Sequence, residues 1–344
     1  MDFGNMNDVS QQPGAIPVPP APPGPPRTGA GWKIFWGIIT GLSVLGNVML
    51  FLMLIAVVIM FAAGQEKKVT EEVIAEGPRS TRIAVVSIEG IIDEQQARNV
   101  YLQIKTARDD KTVKGLIIRV NSPGGTLSGS DQIHNEISKY RTETGKPVIA
   151  FMQGVAASGG YYSSVACEKI VAEPTTITGS IGVIMGYLVL QQLLEEKLGI
   201  QPVIVKAGEK KDWPNSFKAP TEEQLQYLQQ RIIDPAYKRF TEVVNDGRKE
   251  LTEEDVNRLA DGSIYWADQA LKEKLIDSIG YLDDAIREVK TMAKIEKAQV
   301  IEYHRSLTIA DIFSAKTKAF LQIDRKMLYE LATPQVLYLW TGAQ

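Results

Sequence analysis

Three short stretches carry residues whose types and spacing could perform covalent chemistry: NSPGG (Asn121–Gly125), GVAASGGYY (Gly154–Tyr162) and VKAGEKKD (Val205–Asp212). In the second, Ser158 is surrounded by Ala156, Ala157, Gly159 and Gly160, so another backbone can approach it closely. A serine at the start of a helix can be an N-cap or a nucleophile, and the stretch alone allows both. The glycine-rich turn of NSPGG offers backbone N–H donors. Two such donors aimed at one point form an oxyanion hole, worth ~3 kcal/mol per donor in the transition state. The candidate pair is the amides of Gly125 and Gly159.

A serine hydroxyl needs a base. The chain has two histidines, His134 and His304. The first lies in an amphipathic helix pattern, the second in a segment without an assigned role, and neither stands where a base for Ser158 is expected. Lysine is the alternative partner in Ser–Lys variants of nucleophilic catalysis, and VKAGEKKD provides lysines directly after an apolar run.

The elements that must position these residues follow from periodicity. RIAVVSIEGII, KGLIIRV, PVIAFMQG, KIVAEP and ITGSIGVIM read as strands, as does QPVIVKAG. Between them EQQARNVYLQIKTARDD, DQIHNEISKYRTETG, SGGYYSSVAC, YLVLQQLLEEKLG and residues 222–249 read as helices. Strands alternating with helices predict a parallel α/β sheet, whose carboxyl edge is where ligands bind. NSPGG and GVAASGG both follow strands and fall on that edge.

Outside this domain the composition changes. Residues 1–31 hold eight of the 17 prolines, which predicts a disordered tail over 1–32. From Ile34 to Gly64 there is no charged residue, so residues 33–64 read as an uncleaved transmembrane anchor, followed by a polar stalk at 65–81. The catalytic domain is assigned to 82–298, and residues 299–344 to an extension of unassigned role. Net charge is −3, with no long Lys/Arg run, which sets nucleic acid aside. The single cysteine, Cys167, lies in the apolar run SSVAC and reads as a buried, inert thiol. Arg27 and Lys33 before the anchor, against Lys67, Lys68, Arg79 and Arg82 after it, slightly favour a cytoplasmic catalytic domain.

Taken in order, NSPGG, GVAASGGYY, TGSIGVI, KLGI, KAGEKKD and ADGSIYWADQA resemble the signal peptide peptidase A family, membrane-anchored bacterial serine proteases with a Ser/Lys dyad. The resemblance covers about residues 82–289. It implies a ClpP/crotonase-like α/β fold of repeated β-β-α units preceded by one transmembrane helix. It places the nucleophile on Ser158, the general base on Lys211 by the count of the K-x-G-x-x-K-D pattern, a lysine-orienting serine on Ser180, and an oxyanion-hole glycine on Gly125. It implies hydrophobic peptide substrates left after signal-peptide cleavage, a homo-oligomeric ring, no cofactor and no metal. The expected location is the bacterial inner membrane, single-pass, with the catalytic domain extracytoplasmic. A lysine of ordinary pKa is neutral in about one molecule in 2,500 at pH 7, so a base at Lys211 requires about 3–4 kcal/mol of desolvation. An apolar, water-poor pocket is therefore expected, with Glu209 and Asp212 pointing away; otherwise EKKD is simply a solvated loop. A crotonase-type acyl-CoA enzyme and a catalytically silent membrane scaffold are the competing readings.

Overall fold

The structure is a computed structural model that describes residues 29–63, 69–305 and 335–342. The chain divides into two units, Met1–Gly64 and Gln65–Gln344. In the first, α1 (Ala30–Ala63) is a 34-residue helix. Its segment Gly31–Ile59 buries nothing against protein and is long and apolar enough to cross a bilayer. Trp32, Phe35 and Trp36 cluster at its start, stacked and edge-on, as amphipathic rings do at a membrane–water boundary.

The second unit is built on a mostly parallel sheet. Its first elements are β1 (Val69–Ala75), β2 (Arg82–Glu89), α2 (Glu94–Asp109), β3 (Val113–Ser122), β4 (Gly124–Thr126), α3 (Leu127–Thr144), β5 (Val148–Ala157) and α4 (Gly159–Ser164). Then come β6 (Lys169–Ala172), β7 (Ile177–Gly179), β8 (Ile184–Gly186), α5 (Glu222–Leu228), α6 (Asp234–Gly247) and α7 (Glu253–Leu259). The last are β9 (Ile264–Trp266), α8 (Ala267–Lys272), β10 (Ser278–Ile279), α9 (Leu282–Ala293), β11 (Gln299–Arg305) and β12 (Gln335–Leu339). The main sheet runs β1-β11-β2-β3-β5-β6-β10, with β7 and β9 branching from β5. Two of its strands fall outside the span assigned to the catalytic domain. Val69–Ala75, within the segment read as a stalk, pairs antiparallel with β11, which itself lies beyond residue 298.

The strands are buried on both faces, which is why they read as continuous apolar runs. Alternate residues feed two cores. Ala84, Val86, Ile88, Ile118 and Val120 face α2, α3 and α4, whereas Ile83, Val85, Ile117, Ile149 and Phe151 pack with Ala285, Ile286 and Val289 of α9. Side chains cap the helices that flank the site: Asp93 accepts from Gln96 N, and Thr126 Oγ1 from Gly129 N.

One expected element is missing. QPVIVKAG forms no strand, and Val203 and Val205 are 85% and 95% exposed. The run is apolar enough for a strand, but it has no ladder partner among the described residues. The helix expected over YLVLQQLLEEKLG shrinks to a short wide turn at Leu193–Lys197.

Strand β5 shapes the edge of the sheet on which GVAASGG falls. Its first half pairs β6, its second half pairs β7, with Gly154 at φ +55° between them. The strand thus crosses from one neighbour to another and delivers Ala157 beside Gly179. The helix α4 that follows is seated by Tyr162, whose ring meets His134 of α3 edge-on at 5.3 Å. Burial pushes the His134 imidazole down to about 4, against the opposing pull of Asp131. Unfolded His titrates near 6.5, so the unfolded chain takes up this proton first as pH falls. The contribution is complete above about pH 6.5 and lost by about pH 4, roughly 2–3 kcal/mol over that window. Expected in thermal melts: the stability difference between wild type and His134→Gln narrows between pH 6.5 and 4, and a pH-independent difference refutes the assignment.

Candidate active site

Ser158 sits between β5 and α4 at φ 53°, ψ −114°. A left-handed φ at a residue with a Cβ costs of order 1–3 kcal/mol and persists only when the surroundings enforce it. They do: Ser158 N donates to Gly179 O at 2.8 Å, and Ser158 O accepts from Tyr162 N at 2.8 Å. Ser158 is 1% exposed, and its side chain makes no capping hydrogen bond, so the cap reading does not hold. The next residue after Gly179 is Ser180, also at positive φ (51°), with its amide bound to Ser263 O at 2.7 Å. Ser158 and Ser180 are therefore brought together by the β5–β7 register.

Gly125 and Gly159 also converge. In β4, Gly124 O accepts from Ile92 N and Thr126 N donates to Ile92 O, so both point to one side. By the alternation of a strand, Gly125 N–H and C=O point to the other, where β12 lies antiparallel with Tyr338 opposite Gly125. A Cβ on Gly124 would stand 2.0 Å from Tyr338 O and 2.6 Å from Gly159 N; one on Gly159 would stand 3.1 Å from Tyr338 O. The carbonyl of Tyr338 thus lies close to Gly124 and Gly159, with Tyr338 paired opposite Gly125. Only glycine permits it.

On its other edge β12 pairs antiparallel with β8, Leu337 opposite Ile184 and Val336 opposite Met185. The Tyr338 ring stacks on Tyr162 at 5.0 Å and lies 4.7 Å from Phe240, and its hydroxyl donates to Ala236 O at 2.7 Å. A cavity of about 350 Å³ lined by Leu127, Ser128, Asp131, Tyr162, Arg239 and Tyr338 adjoins it. Burial works against the Asp131 carboxylate, but hydrogen bonds from Tyr162 and Arg239 outweigh it and hold its pKa low. Composition pointed to no role for residues 335–339; the strands they pair with lie about 150 and 210 positions earlier.

Lys211 is not part of this cluster. It lies in a single tight turn, Glu209–Asp212, and is exposed, and the described residues form no water-poor pocket around it. Among the described residues it makes no ion pair or side-chain hydrogen bond, and none joins it to Ser158. Asp212 is directed at Lys206 and Asn215 rather than at Lys211. Neither histidine contacts Ser158 among the described residues. Cys167 is buried, and burial pushes its thiol up, away from reactivity.

Residues 140–296 match Peptidase family S49, and residues 69–176 match Clp protease. A protein of Enterococcus faecium named as a signal peptide peptidase SppA is 37% identical over 252 residues, covering 70% of this chain and 72% of that protein. Protease 4 of Salmonella typhi is 36% identical over 237 residues, 67% of this chain. The chloroplastic serine protease SPPA of Arabidopsis thaliana is 33% identical over 256 residues, 73% of this chain. The chain spans only 38% and 36% of the lengths of the latter two.

Strain at Ser158 has a measurable consequence. Both Ser158→Ala and Ser158→Gly remove the hydroxyl, but only glycine relieves the positive φ, an advantage partly offset by its unfolded-state entropy. Ser158→Gly is expected to be about 1 kcal/mol more stable than Ser158→Ala in denaturant unfolding. The reverse order refutes the strain.

Proposed function

The chain belongs to peptidase family S49 and is a serine-type peptidase of ClpP/crotonase-like fold, and on that premise we infer that it is a membrane-anchored endopeptidase acting through Ser158 and Lys211. The observation that carries the reading is β12: an extended peptide paired on both edges, with Tyr338 opposite Gly125 and its carbonyl close to Gly124 and Gly159, the residue after Ser158. A substrate strand bound the same way presents its scissile carbonyl at that point. Ser158 Oγ attacks the carbonyl carbon while neutral Lys211 Nζ takes the hydroxyl proton, and the two amides hold the oxyanion. Collapse breaks the C–N bond as Lys211 returns the proton to the leaving amine. Water then attacks the acyl-enzyme, again losing its proton to Lys211, and Ser158 is regenerated. Ser180 orients the lysine without charging it.

The aromatic seat of Tyr338 supports a preference for large apolar or aromatic side chains before the cleaved bond. That fits hydrophobic peptides, including the signal peptides for which the relatives are named. An acyl-CoA enzyme has no use for a slot that pairs with a peptide strand on both edges. The α1 anchor keeps such a site near membrane-derived peptides, in a bacterial inner membrane with the catalytic domain extracytoplasmic.

The exposure of Lys211 bears on assembly. A lysine base must be dry, and the loop that carries it also leaves Val203 and Val205 uncovered. A ring of identical copies covers this loop and brings Lys211 of one copy to Ser158 of the next. Two experiments test the reading. Ser158→Ala and Lys211→Ala should each abolish cleavage of a hydrophobic peptide and, for Ser158→Ala, labelling by a fluorophosphonate; undiminished turnover sinks the dyad. Co-assembling the two inactive variants should restore about a quarter of wild-type activity if sites are shared between copies, and none if they are not. Because β12 fills the slot, Tyr338→Ala should raise kcat/KM for an added peptide several-fold, by weakening a competitor of known place.

A further inference from the structure

The turn that presents Lys211 contains more than one lysine, and the fold treats them differently. Lys210 Nζ lies over the rings of Trp213 and Tyr227, 4.8 and 4.5 Å from their centroids, and 3.9 Å from Glu223 of α5. Lys206 Nζ donates to Glu209 O at 2.6 Å and pairs with Asp212. Asp212 uses its second oxygen to accept from Asn215 Nδ2 at 3.2 Å. Lys211 stands between Lys210 and Asp212 in sequence, with no partner among the described residues.

That arrangement matters because the carboxylate adjacent to a lysine base opposes its function. A free Asp212 would favour the ammonium form of its neighbour and hold the proton the base must release. The hydrogen bond from Lys206 holds the Asp212 carboxyl below its usual range, so it remains an anion whose charge is met by Lys206. We propose that Lys206 is a positioning residue of the dyad: by clamping the Glu209–Asp212 turn and occupying the Asp212 carboxylate, it leaves Lys211 as the one lysine of the turn available as base. Trp213 and Tyr227 remove Lys210 from the competition. The charged and titratable groups around the turn are Lys206, Glu209, Lys210 and Asp212 on the loop, and Glu223 and Tyr227 on α5. The inference rests on Lys211 being the base.

The test is the pH profile of kcat for the full-length enzyme in detergent, with a fluorogenic hydrophobic peptide. Lys206→Met is expected to shift the ascending limb upward by about one pH unit, seen as roughly tenfold lower kcat at neutral pH that recovers on the alkaline side. Adding Asp212→Asn to Lys206→Met is expected to bring the limb back. An unmoved limb in Lys206→Met, or a loss equal at every pH that Asp212→Asn does not rescue, overturns the proposal and leaves Lys206 a structural clamp. Lys211→Ala separates the two levels. If that variant is inactive while the limb in Lys206→Met stays in place, only the role of Lys206 fails; if it is active, the dyad itself fails.

Discussion

Backbones can approach as closely as β4, β12 and the start of α4 do here only where no side chain stands between them. At Gly124 a side chain would reach to 2.0 Å of Tyr338 O, and at Gly159 to 2.3 Å of Ser130 Oγ. This steric requirement decides the form of the active edge. It explains why NSPGG and ASGG are rich in glycine, and why strands β4 and β5 must end within contact of each other. It also explains why the long parallel sheet exists: two loops distant in sequence can be held to such tolerance only by rigid elements beneath them. The strain at Ser158 belongs to the same design, because the hydrogen bond that Ser158 N donates to Gly179 O also fixes Ser158 beside Ser180.

The charged loop works under the opposite requirement. Hydrogen bonding between β4 and the buried Tyr338 is strengthened by its burial, whereas the Glu209–Asp212 turn meets solvent in the isolated chain. Exposed Val203 and Val205 beside an exposed lysine are an unfinished surface. Ser158 is buried completely, whereas Lys211 is left uncovered. Within that loop, Lys206 and Asp212 form an ion pair that leaves Lys211 aside.

Much of this was legible in the residues. The paired apolar runs of β2, β3 and β5 specify a parallel sheet because strands buried on both faces cannot alternate with polar residues. The charge-free run from Ile34 specifies α1, because only a helix satisfies its backbone in an apolar medium. Small residues around Ser158 marked a close approach, and two such stretches after two strands placed them on one edge. QPVIVKAG misled for a physical reason: apolarity signals burial, but the described residues offer that segment no partner strand.

Local sequence thus determined the anchor, the strands and the places where backbones could touch, because helix and strand periodicity and the size of a side chain are properties of neighbours. Only the tertiary structure decided what those places would hold. That β12 would lie between β4 and β8, and that Lys206 rather than Lys211 would take Asp212, depend on long-range register and on which loop rests against which helix. Such pairings are chosen by the energy of the whole packed domain, which no short window of residues contains.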